Sequence, residues 1–173
     1  PAALRNPDVA QRFLDSKRYL SSFFDNRYGI FSAAAIYIAE APFSPNRRGK
    51  DFSFRPYFKK TIETQKPVIS DPYLSSQAHT HPAIMMTAPI FNGKGTLVGF
   101  LSGSMDLMGN NILGDIAKVR VGTNGFISLT TADRIMIMHP DKTRIMKPIP
   151  AGNRVYDAAL EGLRHAASTG VTS

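Results

Sequence analysis

The sequence predicts an α+β fold: a long N-terminal helix, a short helix leading into an antiparallel sheet curled over a pocket, and then a truncated second unit of the same kind. Three observations predict it. The stretch from Arg48 to Asp106 opens with a basic, glycine-containing loop and a short aromatic helix, FRPYFKKTIET. Three β-rich segments follow, PVISDPYL, PAIMMTAPIF and TLVGFLSGSMD. The last two flank Asn92-Gly93-Lys94-Gly95, a hairpin signal because glycine supplies the positive φ that tight turns need. Finally, a helix weakened by two glycines (LMGNNILGDIAKV) and a second hairpin pattern come after Asp106.

In chain order, Asn6-Pro7 starts a helix, with Asn6 as N-cap and Pro7 at the first helical position. Val9, Phe13, Leu14, Leu20, Phe23 and Phe24 recur at helical spacing, so residues 7 to about 25 read as one amphipathic helix with an aromatic core stripe. Asp25-Asn26 and Gly29 end it. Phe31 to Ala39 reads as a single buried strand, and Pro42 to Pro45 breaks it into an exposed basic loop. Ser53 is positioned to cap the helix that begins near Arg55, with Pro56 in its first turn. Lys66-Pro67 closes that helix and Val68 opens the next strand. Gly122 to Pro140 reads as a hairpin turning at Ala132-Asp133, residues 153 to 167 as a helix, and STGVTS trails off where a further strand is expected.

The chain has 173 residues, enough for one domain or one and a half with a sizeable core. Hydrophobic residues make up 43% and charged residues 20%, which argues against wholesale disorder. Cysteine is absent, which excludes disulfides and thiolate metal sites. No apolar run is long enough to span a bilayer and no signal-peptide pattern is present. The net charge of +8 admits two readings, a polyanionic partner or a solvated basic surface. The basic residues fall in short groups (Arg47-Arg48-Lys50, Lys59-Lys60, Lys118 with Arg120, Lys142 to Lys147), and no nucleic-acid motif accompanies them, so the solvated surface is favoured.

Three strings carry a resemblance: GKDFSFRPYFKKTIETQKPVISDPYLS, APIFNGKGTLVGFLSGSMDL and NGFISLTTADRIMIMHPD. Together they resemble the double Cache sensor family, the extracytoplasmic PAS-like ligand-binding regions of bacterial chemoreceptors, histidine kinases and diguanylate cyclases. The likeness covers Phe31 to Asp141. It implies an N-terminal helix over 1–30, a membrane-distal ligand-binding domain over 31–115, and a partial membrane-proximal domain over 116–173. It also implies a periplasmic domain of a membrane-anchored protein and signalling to an output domain outside this stretch. The sequence departs from the family where the first strand runs into a short Asp/Gly turn, since Ile38 to Pro42 stands there instead.

The amino-acid-binding branch of that family resembles the pattern Arg-x-Trp-Tyr on the pocket helix, then Tyr and Asp on the next strand and Asp at the end of the last. Here Arg55 stands at the arginine position, Tyr57 replaces the Trp and Phe58 the Tyr. Tyr73 matches the strand tyrosine, Ser75 replaces an Asp, and Asp106 matches the final Asp. The chemistry stands apart from the family. A guanidinium gives a carboxylate two parallel charge-assisted hydrogen bonds, tyrosines offer an apolar face and a hydroxyl, and Asp106 suits an ammonium group. Losing the hydroxyl at 58 and the carboxylate at 75 weakens an amine cage, leaving a simple carboxylate or another small polar metabolite as good a ligand as an amino acid.

Each residue also has a structural reading. Arg55 has Asp51 or Asp71 as ion-pair partners, Tyr57 and Phe58 suit a core, and Asp106 suits the cap of a helix starting at Leu107. His79-Thr80-His81 has the alternation of a metal-site fragment but no third ligand at a recognisable spacing, so no metal site is assigned. His139 and the strand methionines read as structural. No catalytic set or phosphate-cradling loop occurs in a convincing context, so no enzyme activity and no cofactor are expected. The expected role is a sensor of a small polar ligand, paired as a homodimer through the N-terminal helix. The alternatives are a dimerisation spacer with its pocket self-filled and a nucleic-acid-binding domain.

Overall fold

The computed structural model describes residues 2–77 and 79–168. Two short helices, α1 (Ala2–Arg5) and α2 (Pro7–Asp15), open the chain, followed by a 3-10 turn at Arg18–Ser22. The Asn6 side chain accepts the N–H groups of Asp8 and Val9, so the sequence-read cap and Pro7 hold α2 as expected. The single helix read over 7–25 is nevertheless divided. Ser16, Ser21 and Ser22 each donate their hydroxyl to the carbonyl three residues back, at 2.7, 2.7 and 2.6 Å. Side-chain hydroxyls that bond nearby carbonyls compete with the helical ladder and tighten it.

The strands β1 (Arg27–Ser32) and β2 (Tyr37–Ala41) form a hairpin where a single strand, Phe31 to Ala39, was expected. Its turn contains no glycine. Ser32 Oγ accepts the N–H groups of Ala34 and Ile36, both at 3.2 Å, and Ala35 takes φ +58°. Ile38 to Ala41, which stands where the family has its short turn, belongs to the second strand. Helix α3 (Pro56–Thr64) starts with Pro56 as read, but Arg55 is its N-cap. Ser53 does not cap it; its N–H is accepted by Asp51 Oδ1 at 2.7 Å.

The remaining strands of the main sheet are β3 (Val68–Ile69), β4 (Tyr73–Leu74), β5 (Pro82–Phe91) and β6 (Leu97–Asp106). The sheet is antiparallel in the order β2-β1-β6-β5-β3, with β4 also pairing β5. The β5–β6 turn falls at Asn92–Gly95 as predicted, with Gly95 at φ +77° and Asn92 Oδ1 accepting the N–H groups of Lys94 and Thr96.

Helices cover both faces of this sheet. On one, Ala10 and Leu14 of α2 pack on Tyr28, Ile30 and Ala39. Phe24 lies so close over β6 that a Cβ on Gly103 would sit 2.4 Å from its ring. On the other, Phe58 of α3 packs with Phe31 and Phe100, ring centroids 4.6 and 5.4 Å away. Alternation along β6 thus sends Phe100, Ser102 and Ser104 to the α3 face and Gly99 and Gly103 to the α2 face.

Beyond the sheet, α4 (Ile112–Ile116) is shorter than expected and is capped by Asn111, not Asp106. Two small ladders follow, β7 (Arg120–Val121) with β8 (Gly125–Phe126) and β9 (Leu129–Thr130) with β10 (Met136–Met138). The second is the predicted hairpin, turning through Ala132-Asp133. A 3-10 turn at Lys142–Arg144 and helix α5 (Arg154–Ser168) complete the described chain. Ile145 joins Ile84, Met105 and Leu107 in a third apolar cluster. The expectation for the tail beyond Ser168 lies outside the described residues. Among the described residues no helix is long and apolar enough to cross a membrane.

Candidate functional site

The α3 face of the sheet is apolar at one end and polar at the other. Strand register places Arg27 opposite Ser104 and Phe31 opposite Phe100. Phe31 and Phe100 belong to the core, while Arg27 and Ser104 line a small pocket open in part to solvent. Its other walls come from Tyr37, Arg47, Arg55, Tyr57, Tyr73 and the segment Ser75 to Gln77. Inside it runs a polar line: Asn26 Nδ2 donates to Ser104 Oγ at 2.8 Å, and Ser104 Oγ lies 3.4 Å from Tyr73 Oη.

Among the described residues three guanidinium groups face this pocket and no carboxylate lines it. Glu40, buried behind the wall, engages two of them through one oxygen: Arg27 Nη1 donates to Oε2 at 2.7 Å, and Arg47 Nε lies 3.3 Å from it without hydrogen-bond alignment. Arg47 also lies over the rings of Tyr37 and Phe52, 5.5 and 5.2 Å from their centroids. Arg55 differs. None of the ion pairs among the described residues includes it. Its Nε is buried without a hydrogen-bond partner, and its guanidinium lies 5.1 and 5.4 Å from the rings of Phe54 and Tyr73. Neither Asp51 nor Asp71 holds it.

Burial pushes the hydroxyls of Tyr37, Tyr57 and Tyr73 above the ordinary phenol range. For Tyr37 the neighbouring Glu40 adds to the rise, while Arg47 opposes it. For Tyr57 and Tyr73 the Arg55 charge opposes the burial effect. All three hydroxyls stay protonated at neutral pH and keep a proton to donate.

Four of the six residues singled out from sequence meet here: Arg55, Tyr57, Tyr73 and Ser75. The other two do not line the pocket. Phe58 is wholly buried, because its place on α3 turns it toward Phe31 and Phe100. Asp106 lies on the same face of β6 as Ser104 but past the pocket's end, where its Oδ2 is 2.8 Å from His81 Nδ1. Ser104 holds the inward position on that face. Sequence reading missed Arg27, Asn26, Arg47 and Ser104. Of these only Ser104 left a signal, the two-residue alternation of β6.

The segment after β4 closes one side. Arg27 Nη2 donates to Gln77 Oε1 at 3.2 Å, and Gln77 Nε2 donates to the Asn26 carbonyl at 3.0 Å. The arrangement is a cationic, hydroxyl-lined cavity with an aromatic wall, suited to a small anion.

No family model matches the chain. Over 141 residues it is 24% identical to the methyl-accepting chemotaxis protein McpA of Bacillus subtilis (strain 168), covering 81% of this chain. The chain spans 20% of the length of that relative. The ligand-binding domain of the Pseudomonas fluorescens chemoreceptor CtaA in complex with L-serine superposes with a TM-score of 0.66 at 24% identity, covering 83% of this chain and 60% of that one. The ligand-binding domain of the Pseudomonas aeruginosa PAO1 amino acid chemoreceptor PctB in complex with L-Gln gives 0.65 at 22% identity, covering 83% and 57%. The chain has the fold of the Cache-type ligand-binding domains of amino-acid chemoreceptors.

Proposed function

We propose that this chain is the ligand-binding part of an extracytoplasmic sensor, and that its ligand is a small carboxylate. The observation that carries this is the Arg55 guanidinium, aimed into an aromatic and hydroxyl-lined pocket without an anionic partner. The similar solved domains, in complex with L-serine and L-Gln, support a small-molecule ligand. The ligands there share a carboxylate with the proposed class. The α-ammonium is a different matter, since among the described residues no acidic side chain lines the pocket and Glu40 is engaged by two arginines. A carboxylate without an amine is therefore the better match, with Tyr57, Tyr73 and Ser104 serving its remaining polar atoms.

The proposed role is binding without catalysis. The receptor would be membrane-anchored outside this stretch, with residues 31–115 as the ligand-binding unit and 116–173 as part of a second. The chemotaxis relative favours a chemoreceptor output over a diguanylate cyclase or a histidine kinase. Ligand contacts with Arg27 and Ser104 would bias the packing of β1 and β6 against α2, a two-state element able to pass the event on. Pairing of two chains through α2 would complete such a receptor. A thermal-shift screen of matched acids tests the reading: hydroxy and dicarboxylic acids should stabilise the protein more than the α-amino acids of the same skeleton. Stabilisation by amino acids alone, or by duplex DNA alone, would refute it.

A further inference from the structure

The His79–His81 segment gains from the fold what it lacks in the sequence, a third ligand. One nitrogen of each imidazole and a carboxylate oxygen of Asp106 lie within 4.8 Å of one another. The two imidazoles come from the loop after β4 and the carboxylate from the end of β6, a separation of 25 residues between His81 and Asp106. From the geometry we infer a binding site for a divalent transition-metal ion of the zinc or nickel type, formed by His79, His81 and Asp106 beside the mouth of the ligand pocket.

The backbone brings the imidazoles together by an unusual route. Thr80 takes φ +49°, a left-handed conformation that β-branched residues rarely adopt. The loop holds it through the Thr80 N–H to the Gln77 carbonyl at 3.0 Å and the Ser75 N–H to the His81 carbonyl at 2.9 Å. In a regular strand residues 79 and 81 would point the same way but stand nearly 7 Å apart. Here the curl at Thr80 draws their ring centroids to 4.5 Å.

The hydrogen bonds around the cluster resemble those that orient metal ligands. His79 Nδ1 accepts the His81 N–H at 2.9 Å, so that nitrogen carries a lone pair, and Nε2, 3.1 Å from Asn26 Oδ1, carries the proton. An ion at His79 Nδ1 would take over the lone pair that now accepts the His81 N–H, while the Nε2 hydrogen bond to Asn26 Oδ1 orients the ring. Asp106 is oriented in the same way, its Oδ1 accepting the Met108 N–H at 2.8 Å and leaving Oδ2 for His81. An ion would replace the proton shared by His81 Nδ1 and Asp106 Oδ2. Ligand atoms around a tetrahedral ion with bonds of ~2 Å stand about 3.3 Å apart, so small rotations of exposed side chains suffice. Two imidazoles and one carboxylate select borderline transition metals over magnesium or calcium, which prefer all-oxygen sites. Both histidines are exposed, which gives the ion a path and leaves water at its open positions.

Zinc and nickel chloride titrations of untagged, chelator-stripped protein by calorimetry test this. One ion per chain should bind, reversibly on adding EDTA. His79→Ala, His81→Ala and Asp106→Asn should each weaken it by roughly tenfold or more. His139→Ala, which alters a buried histidine outside the cluster, should leave the binding unchanged. Metal-free thermal unfolding of the variants separates loss of ligands from loss of fold. The inference is overturned if the wild type binds no ion in a one-to-one ratio, if the double His79→Ala/His81→Ala variant titrates like the wild type, or if calcium binds and zinc does not. A carboxylate-binding pocket would survive each of those results, because Arg55 takes no part in the cluster.

Discussion

Arg55→Ala is the most direct test of the pocket, because the structure sets its effect on stability and on binding far apart. The side chain makes no ion pair among the described residues, and its Nε already lacks a hydrogen-bond partner. Removing it forfeits contact with the rings of Phe54 and Tyr73, each worth about 0.5–1 kcal/mol at a half-exposed site, and relieves an unsatisfied donor. The net change in the stability of the ligand-free protein should therefore stay within about 1 kcal/mol. Binding should respond differently. Two charge-assisted hydrogen bonds to a carboxylate, at about 1.5 kcal/mol each, sum to roughly 3 kcal/mol, which is about 150-fold in Kd.

The contrast is readable in one thermal-shift experiment. A carboxylate at about a hundred times its wild-type Kd stabilises the wild type by roughly 2.7 kcal/mol. The same concentration is then below the variant's Kd and stabilises it by about 0.3 kcal/mol. For a chain of this size those figures correspond to roughly 5–11 °C and about 1 °C in Tm. Equal ligand-induced shifts in wild type and variant would refute the role given to Arg55. A loss of 3–5 kcal/mol in the ligand-free variant would show that Arg55 answers a buried carboxylate, and the spacer reading would then replace the sensor.

Four further outcomes follow from the packing. Glu40→Gln leaves Arg27 and Arg47 without their common anion in a buried place, and should lower stability by about 3–5 kcal/mol in urea unfolding; an unchanged midpoint would mean that solvent already screens the cluster. Gly103→Ala drives a methyl into the Phe24 ring and should cost about 1–3 kcal/mol, read by the same assay. Because burial raises the hydroxyls of Tyr37, Tyr57 and Tyr73, their contribution is fully present below the unfolded phenol value of about 10 and is lost as pH rises above it. Tm should hold from pH 8 to about 10 and then fall, less steeply in Tyr57→Phe, and equal slopes would count against the buried hydroxyl. Amide exchange should be faster in the two-residue ladder of β7 and β8 than in β5 and β6, and equal protection would argue against dividing the chain near residue 115.

What the sequence disclosed, and what it hid, follows from how far each feature depends on distant partners. The Asn92–Gly95 turn was legible because glycine at φ +77° announces itself in composition. The Ser32–Ile36 turn was not, since the left-handed position falls to an alanine within an apolar run and a lone serine closes it. The period of α2 was correct as far as Asp15; beyond it, serine hydroxyls bonding back to carbonyls shortened a helix whose apolar spacing runs on.

The site shows the same division. Arg55, Tyr57 and Tyr73 lie within one helix–strand unit, and the family resemblance singled them out; the fold brings them to one pocket. Arg27, Arg47 and Asn26 come from a strand, a loop and a turn that only sheet pairing brings beside them. The resemblance marked Asp106 and left Ser104 unnoticed. A two-residue period puts both on one face, and chemistry favours the carboxylate as the functional member. What separates them is depth along β6: register sets Ser104 against Arg27, while the curl at Thr80 carries His81 onto Asp106. Two residues further along the strand, the same face passes from a pocket-lining serine to a carboxylate beside an imidazole, a difference that only the three-dimensional register reveals.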